Sequence, residues 1–409
     1  MSTAQIAKDA LDQGQGILRL APNWVPRSFC VPGRRIRLHP DDYYALGGER
    51  GGIDERWFSS TTPADNGPLT GVNEGLSMVV FDDGSTTHQI TLRDAIDELK
   101  GEIIGSRLWD EHQKWPVYSK FFDNKGPLPH HVHHSDEYAA KVGQLGKPEA
   151  YYFPPQVNNY GADFPYTFFG FEPGTTKDQI RECLVNFTKG DNKITSYSKA
   201  YRLDPGTGWD VPPGILHAPG SLCTFEPQKA SDVYAMYQSV VNHQVVPTEL
   251  LWKDCPEDKL GDFDYLIEVL DWEANVDPNF VENHYMEPKS CFGSAEEVEE
   301  NGYDEKWICY RNEAYSATEV TVLPGRTVTI KNAACYGMIM MQGHGTMGSR
   351  HIETPTMIRF GQLTHDEYFV TEATAQAGVT ITNPSPTDPI VMLKIFGPEN
   401  PDWVKAFGS

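Results

Sequence analysis

Short apolar runs, separated by glycine, proline and acidic residues, make up most of the chain. Between residues 115 and 245 they include WPVYSKFF, EAYYF, YTFFGF and VYAMYQSVV, and between residues 306 and 398 they include YGMIMMQ, GVTITN and PIVMLKIF. Runs of this length that are rich in aromatic and β-branched residues and bounded by turn residues are typical of strands. The pattern therefore predicts a mainly β protein with two β-rich blocks.

Helical periodicity is limited to short segments. TLRDAIDELKGEI (91–103) has apolar residues at helical spacing, and Thr91 is a suitable N-cap. Shorter helical patterns cover residues 135–145 and 176–187. Residues 1–20 predict a short helix or an extended arm.

A charged, irregular segment separates the two β-rich blocks. We interpret this segment, residues 251–305, as a connection with some helix. Residues 1–250 are then predicted to form an N-terminal domain with an extension at its start, and residues 306–409 a C-terminal domain. Each domain is long enough to bury its own apolar core.

The composition narrows the possible partners. The 409 residues include 57 acidic and 34 basic side chains, for a net charge of −23. Nucleic acid and anionic membranes repel such a surface, so we predict neither as a partner, and an anionic small molecule would need a local group of Lys or Arg. No apolar run approaches the roughly 20 residues that cross a bilayer, and the N-terminus lacks the features of a signal peptide. We expect a cytoplasmic protein, either a monomer or a homodimer.

A histidine-rich stretch, PLPHHVHHSDEYA, carries the clearest chemical signal. Alternate residues of a strand point to the same side, so His131 and His133 face together, whereas a one-residue slip would turn the side of His130 and His134 inward. Further along, a PGxxH sequence ends at His217. His-x-His followed by PGxxH resembles the paired signature of cupin barrels. We therefore predict that His131, His133 and His217 bind one divalent metal ion.

The C-terminal block carries neither motif. His344 lies in a Gly-His-Gly sequence, which predicts a turn residue and not a ligand. The predicted fold is thus a bicupin, with two jelly-roll barrels and a few short helices. The metal lies in the first barrel, and the second barrel is degenerate.

Two carboxylates compete for the fourth ligand position. Glu137 follows His133 closely, at the spacing of simple cupins, and Glu149 opens the strand EAYYF. The helical pattern between them would carry Glu137 away from the barrel interior. We therefore favour Glu149.

Several segments resemble type I phosphomannose isomerases. These are GGIDERWFSST (51–61), which contains Glu55 and Trp57, the run WPVYSKFFDNKGPLPHHVHHSDEYA, GKPEAYYF and WDVPPGILHAPG. The resemblance runs through most of the chain. It implies that the metal ligands are His131, His133, Glu149 and His217, and that the metal is zinc.

The chain departs from the family pattern at the site. His131 stands where the family has Gln, and three imidazoles with one carboxylate also suit Fe, Mn, Co or Ni. Lys147 and Glu226 match positions that the family uses in catalysis. Met236 stands where a catalytic Arg is expected, and we take Arg202 as its replacement. The large helical domain of the longer family members is missing or much reduced.

The resemblance implies a metal-dependent aldose–ketose isomerase that acts on a sugar or sugar phosphate, in the manner of mannose-6-phosphate isomerase. Such a reaction needs a polarised carbonyl and a group that moves a proton between adjacent carbons. Two alternatives stay open: a metal-dependent cupin oxygenase, and a non-catalytic sugar-binding protein. Aromatic residues near the predicted site suit either a sugar ring or core packing; they are Tyr151, Tyr152, Tyr160, Tyr166, Phe168, Phe169 and Trp209.

Overall fold

Two β-sheets surround the histidine-rich segment. The computed structural model describes residues 1–28, 30–159 and 164–408. Within these residues, one sheet has seven strands, in the spatial order Tyr285–Met286, Gly208–Val211, Glu149–Tyr152, Thr224–Lys229, Val117–Phe122, Gly52–Phe58 and Asn23–Arg27. The facing sheet has five strands, in the order Ser198–Arg202, Tyr166–Phe171, His217–Ala218, His131–Val132 and Ala235–Met236. A small hairpin joins Val240–Val241 to Gln244–Val245. The prediction of a mainly β protein is confirmed.

A second pair of sheets occupies the C-terminal half. The larger described sheet has nine strands, in the order Lys289–Ser290, Tyr303–Cys309, Ser316–Val322, Ile390–Phe396, Tyr336–Gln342, Glu367–Val370, Ile17–Ala21, Met78–Asp82 and Thr87–Thr91. The smaller has four, in the order Thr327–Ile330, Val379–Thr382, His344–Met347 and Arg350–Glu353. Buried side chains from both sheets, such as Met338 and Ile381, form one apolar core.

The nine-stranded sheet crosses the domain boundaries that we predict from the sequence. Its strand Ile17–Ala21 pairs with Glu367–Val370 on one side and with Met78–Asp82 on the other. Part of the segment 1–250 therefore builds the C-terminal half of the molecule. The division at residues 250 and 306 stays a prediction.

The strand Glu149–Tyr152 lies between the two halves and is buried throughout. Tyr151 packs against Phe169 of the facing five-stranded sheet, with ring centroids 5.9 Å apart. Tyr152 points the other way, and its hydroxyl donates to Glu319 Oε2 of the C-terminal half at 2.8 Å. Contact on both faces explains why the sequence EAYYF does not alternate between apolar and exposed polar residues.

The described helices are short and more numerous than we predict. They are Thr3–Gln13, Leu92–Leu99, Gly101–Ile104, Ser106–His112, Asp136–Ala140, Lys177–Val185, Thr248–Leu251, Phe263–Glu268, Trp272–Asn275, Phe280–His284, Ala295–Asn301, Glu372–Ala377 and Pro401–Phe407. Thr91 caps the second of these through its hydroxyl, as expected, but Lys100 adopts a φ of 52° and divides the predicted helix in two. None of the described helices is long and apolar enough to cross a membrane.

A buried ion pair joins the two halves. Arg56 donates to Asp366 at 2.8 and 2.9 Å and lies 3.5 Å from Glu367 Oε2. All three side chains are at most 2 % exposed. The guanidinium is therefore the counter-charge for Asp366, whereas burial raises the pKa of Glu367 to about 8.

Replacing Arg56 by methionine should lower the free energy of unfolding by about 3–5 kcal/mol, because Asp366 would stay buried without a counter-charge. Urea denaturation followed by circular dichroism measures the change. Arg107→Met is the control, since Arg107 pairs with the exposed Glu399 at 3.1 Å and should contribute less than about 1 kcal/mol. Equal losses in the two variants would contradict the role that we assign to Arg56.

Candidate metal centre

Three buried histidines meet between the sheets of the N-terminal half. His131 and His217 are direct partners on neighbouring strands, and their ring centroids lie 4.2 Å apart. The ring of His133 lies 5.0 Å from that of His131 and 5.1 Å from that of His217. One nitrogen of each ring lies within 4.8 Å of the others. The structure thus brings together the three histidines that the two motifs predict.

The PGxxH turn places His217. Gly214 has a φ of 86°, and a Cβ there would lie 2.8 Å from the backbone nitrogen of Asp271. The Gly214 nitrogen donates to the carbonyl of His133 at 2.8 Å, which ties this turn to the other histidine strand. A glycine is required here because the backbone is left-handed and closely packed.

The Nδ1 atom of each histidine is bonded to a backbone carbonyl. The acceptors are the carbonyls of Pro129, Val233 and Ile215, at 2.8, 2.7 and 2.9 Å from His131, His133 and His217. A carbonyl only accepts, so Nδ1 carries the hydrogen and Nε2 of the neutral ring keeps its lone pair. This is the tautomer that binds a metal through Nε2.

Glu149 approaches the histidines from the facing sheet. Its Oε2 lies 3.1 Å from His133 Nε2, and its Oε1 lies 3.1 Å from His217 Nε2. The Tyr151 hydroxyl donates to Oε1 at 2.7 Å. The competing carboxylate, Glu137, is 78 % exposed and lies beside Lys141 at the surface. Glu149, and not Glu137, is therefore the carboxylate that lies beside the three histidines.

The protonation states of the group suit a cation. Burial and the neighbouring rings of His217 and His133 hold the pKa of His131 well below its ordinary value. Burial and the charge of Lys147 lower the pKa of His133 to about 3. Burial opposes ionisation of Glu149, but Lys147 and His133 outweigh it and hold its pKa well below the usual range. Neutral imidazoles and an ionised carboxylate are the forms that bind metals.

One buried nitrogen of the group, His217 Nε2, lacks a hydrogen-bond donor among the described residues. His217 Nε2 and Glu149 Oε1 approach each other as two acceptors, and the His217 nitrogen has no donor among the described residues. Two acceptors at this distance repel each other unless a cation lies between them. The four side chains therefore fit a divalent metal ion, which would be held by three imidazole nitrogens and one carboxylate.

A chain of alternating charges leads away from Glu149. Lys147 Nζ lies 3.0 Å from Glu149 Oε2 and 3.5 Å from Glu226 Oε1. Lys120 Nζ lies 3.3 Å from the same Glu226 oxygen and 3.5 Å from Glu55 Oε1. Burial and the charge of Glu149 raise the pKa of Glu226 to about 8, although both lysines oppose this. Lys147 and Glu226, predicted from the sequence, thus lie beside the histidine group.

Lys120 was not predicted from the sequence. It lies in the middle of the apolar strand Val117–Phe122, directly opposite Glu226 on the neighbouring strand. A lysine at an inward position of a buried strand needs a partner of opposite charge. That requirement marks the lysine of VYSKFF as a residue with a buried acidic partner, but the sequence does not show which carboxylate the partner is.

Arg202 does not reach the group. Its side chain is 70 % exposed and lies 3.5 Å from Asp204. Its neighbour Tyr201 points inward, so the alternation of the strand turns Arg202 to solvent. The buried guanidinium nearest along the charge chain is that of Arg27, 3.3 Å from Glu55. Met236 is buried opposite His131 on the neighbouring strand.

The aromatic residues mostly pack against one another. Phe169 contacts Trp209 and Phe280, with ring centroids 5.3 and 5.5 Å apart. All three are at most 3 % exposed. This arrangement favours core packing over a sugar-binding surface for these rings. Tyr160 lies outside the described residues. In the C-terminal half, His344 is exposed and begins the strand His344–Met347, so it lies in a strand and not in the turn that the Gly-His-Gly sequence predicts.

Comparison with known proteins shows which solved structures share the fold of this chain. No protein-family model and no curated protein sequence matches the chain. Solved structures do match. Mannose 6-phosphate isomerase from Bacillus subtilis has a TM-score of 0.59 at 17% identity, over 93% of this chain and 99% of that chain. A phosphomannose isomerase variant from Salmonella typhimurium has a TM-score of 0.60 at 10% identity, over 94% of this chain and 100% of that chain.

A third structure, a candidate mannosephosphate isomerase from Archaeoglobus fulgidus, has a TM-score of 0.60 at 15% identity, over 93% of this chain and 97% of that chain. The chain has the phosphomannose isomerase fold. The resemblance that the sequence motifs indicate is thus confirmed at the level of the fold. At these identities, the phosphomannose isomerase fold does not by itself establish a reaction.

Proposed function

We propose that the chain is a metal-dependent aldose–ketose isomerase that acts on a sugar or sugar phosphate, in the manner of mannose-6-phosphate isomerase. The observation that carries the proposal is the placement of three buried imidazoles and Glu149 beside the buried Lys120–Glu226–Lys147 group. A metal centre and a proton-carrying carboxyl are the two parts that the reaction needs. A phosphomannose isomerase fold that contains both supports this activity over others.

We further propose a bicupin architecture with the metal in the first barrel. The four proposed ligands, His131, His133, Glu149 and His217, lie on or next to strands of two facing sheets, which a barrel would bring together. Zinc is the metal we expect, and the set also accommodates Fe, Mn, Co or Ni. When bound, such an ion would polarise the carbonyl of the sugar as a Lewis acid.

The chain's own residues supply the proton transfer. Glu226 has a pKa of about 8 because of burial and the charge of Glu149, so its carboxyl can both hold and release a proton near neutral pH. Lys120 stays charged, because Glu226 and Glu55 raise its pKa despite burial. Lys120 and Lys147 then stabilise negative charge on the substrate as Glu226 moves the proton between adjacent carbons.

Isomerisation in heavy water tests the proposal. The metal-loaded protein is mixed with mannose 6-phosphate, fructose 6-phosphate, mannose or fructose, and the products are followed by NMR. We expect aldose and ketose to interconvert for at least one pair, with deuterium entering at C2 of the aldose. The isomerase proposal is wrong if neither interconversion nor exchange occurs with any of these sugars.

A metal-dependent oxygenase is the second candidate, because three imidazoles and one carboxylate also bind iron. Iron-dependent oxygen consumption in the presence of a carbohydrate would support it. Saturable sugar binding without either reaction would instead indicate a binding protein, consistent with Met236 in the place of the expected arginine.

A further inference from the structure

A cavity lies in the C-terminal half, away from the histidine group. Its volume is about 480 Å³. The strand Tyr303–Cys309 forms its floor, and the C-terminal helix Pro401–Phe407 and residues 289–292 form its walls. A cavity of this size is in the range that holds a small molecule.

The floor of the cavity carries a buried polar network in which one carboxylate oxygen, Glu305 Oε2, has no hydrogen-bond donor among the described residues. Glu305 is 6 % exposed, and its Oε1 accepts from Thr318 at 2.8 Å, from Lys394 at 3.2 Å and from Asn332 at 3.5 Å. Lys394 also donates to Asn332 Oδ1 at 2.9 Å. Among the described residues no donor contacts Glu305 Oε2, although Glu305 lines the cavity. Oε2 is therefore placed to accept from a ligand hydroxyl.

The rim carries three lysines without an acidic partner. Lys289, Lys331 and Lys405 line the cavity, and none has a carboxylate within ion-pair distance among the described residues. Lys289 instead lies over the rings of Tyr310 and Phe407, 4.5 and 5.3 Å from their centroids. In a chain with 57 acidic and 34 basic residues, three such lysines around one cavity mark a local site for an anion.

Aromatic rings form the apolar part of the cavity lining. Trp307 and Phe407 line it and contact each other edge to face, with centroids 5.7 Å apart. Aromatic side chains pack well against the C–H groups of a polyol. Asp402, the acidic residue at the rim, already accepts a hydrogen bond from the Ala333 backbone nitrogen at 2.8 Å. We propose that this cavity binds a hydroxylated anion of the size of a sugar phosphate. Its hydroxyl group donates to Glu305 Oε2, and its charged group lies among the lysines.

Calorimetric titration with 6-phosphogluconate tests the proposal, because this probe carries hydroxyl groups and two charged ends. We expect saturable binding that weakens at higher salt. Inorganic phosphate should bind more weakly because it lacks the polyol, and mannitol should not bind because it lacks the charge. Equal affinity for inorganic phosphate and 6-phosphogluconate would overturn the assignment of the ligand class.

Substitutions of residues that line the cavity test whether the ligand binds there. Lys331→Met combined with Lys405→Met should weaken binding by about tenfold, because two charges are lost. Glu305→Gln should weaken it by a similar factor by removing the anionic acceptor. Lys306→Met is the control, since Lys306 lies on the same strand but pairs with Asp304 at 3.4 Å and does not line the cavity.

The histidine group provides the decisive comparison. Binding to the proposed cavity should persist in His217→Ala, whose substitution lies in the other half. Binding that is lost in His217→Ala and kept in the double lysine variant would place the ligand at the metal centre and overturn the proposal. This test uses binding alone, so its outcome does not depend on whether the protein isomerises sugars.

Discussion

Replacing His217 by alanine should remove the metal and with it the proposed isomerase activity. His217 supplies one of three imidazoles, and its Nε2 is the buried acceptor without a donor among the described residues. We expect metal affinity to fall by more than about 100-fold. We expect kcat/KM to fall by more than about 1,000-fold, equivalent to about 4 kcal/mol. Elemental analysis of the purified variant and the NMR assay measure the two effects.

His344→Ala is the matched control for that experiment. His344 is exposed, in the C-terminal half, and takes no part in the histidine group. We expect this variant to retain full metal content and activity. Thermal denaturation of both metal-free proteins separates loss of the ligand from loss of the fold. A folded His217→Ala protein that keeps its full metal content would contradict the assignment of the metal centre.

Glu226→Gln should lower kcat by about 100- to 10,000-fold while the metal stays bound. The amide has almost the same shape as the carboxyl but cannot carry a proton. Glu226 forms ion pairs with Lys147 and Lys120 and with none of the four proposed ligands. The free energy of unfolding should change little, because Lys120 keeps Glu55 and Lys147 keeps Glu149 as partners. The measurements are kcat, KM and metal content on one preparation.

Arg202→Ala is the control variant for Glu226→Gln. The exposed position of Arg202 predicts unchanged kcat and KM, although the sequence alone suggested a catalytic role. A large loss of activity in this variant would mean that the exposed strand moves onto the site. If Glu226→Gln instead lost its metal in parallel with its activity, Glu226 would be a residue that positions Glu149 and not the proton carrier.

The histidine group was predictable because its signal is local. His131 and His133 are two residues apart on one strand, and the PGxxH turn marks His217 without knowledge of the sheet. Glu149 needed only the argument that a helix carries Glu137 outward, and the helix is present at Asp136–Ala140. Short-range patterns of this kind survive in a single sequence.

The rest of the site depends on long-range pairing. Lys120 becomes meaningful only when the register places it opposite Glu226, 106 positions later in the chain. Arg27 comes from a strand that the motifs do not mention. Arg202 was wrongly placed in the site because the sequence of its strand does not show which face is inward. The helices of the segment 251–305 were underestimated, because residues such as Tyr265 and Leu266 join the core of the N-terminal half.

The strand Ile17–Ala21 lies between strands that begin at residues 367 and 78. Its pairing with the later strand closes a loop of several hundred residues, and closure of such a loop costs conformational entropy before the hydrogen bonds compensate for it. During synthesis on the ribosome, this N-terminal strand must therefore wait, with one edge unpaired, until the strand Glu367–Val370 has emerged. We therefore expect slow folding, with the strand edge open to pairing with other chains until then.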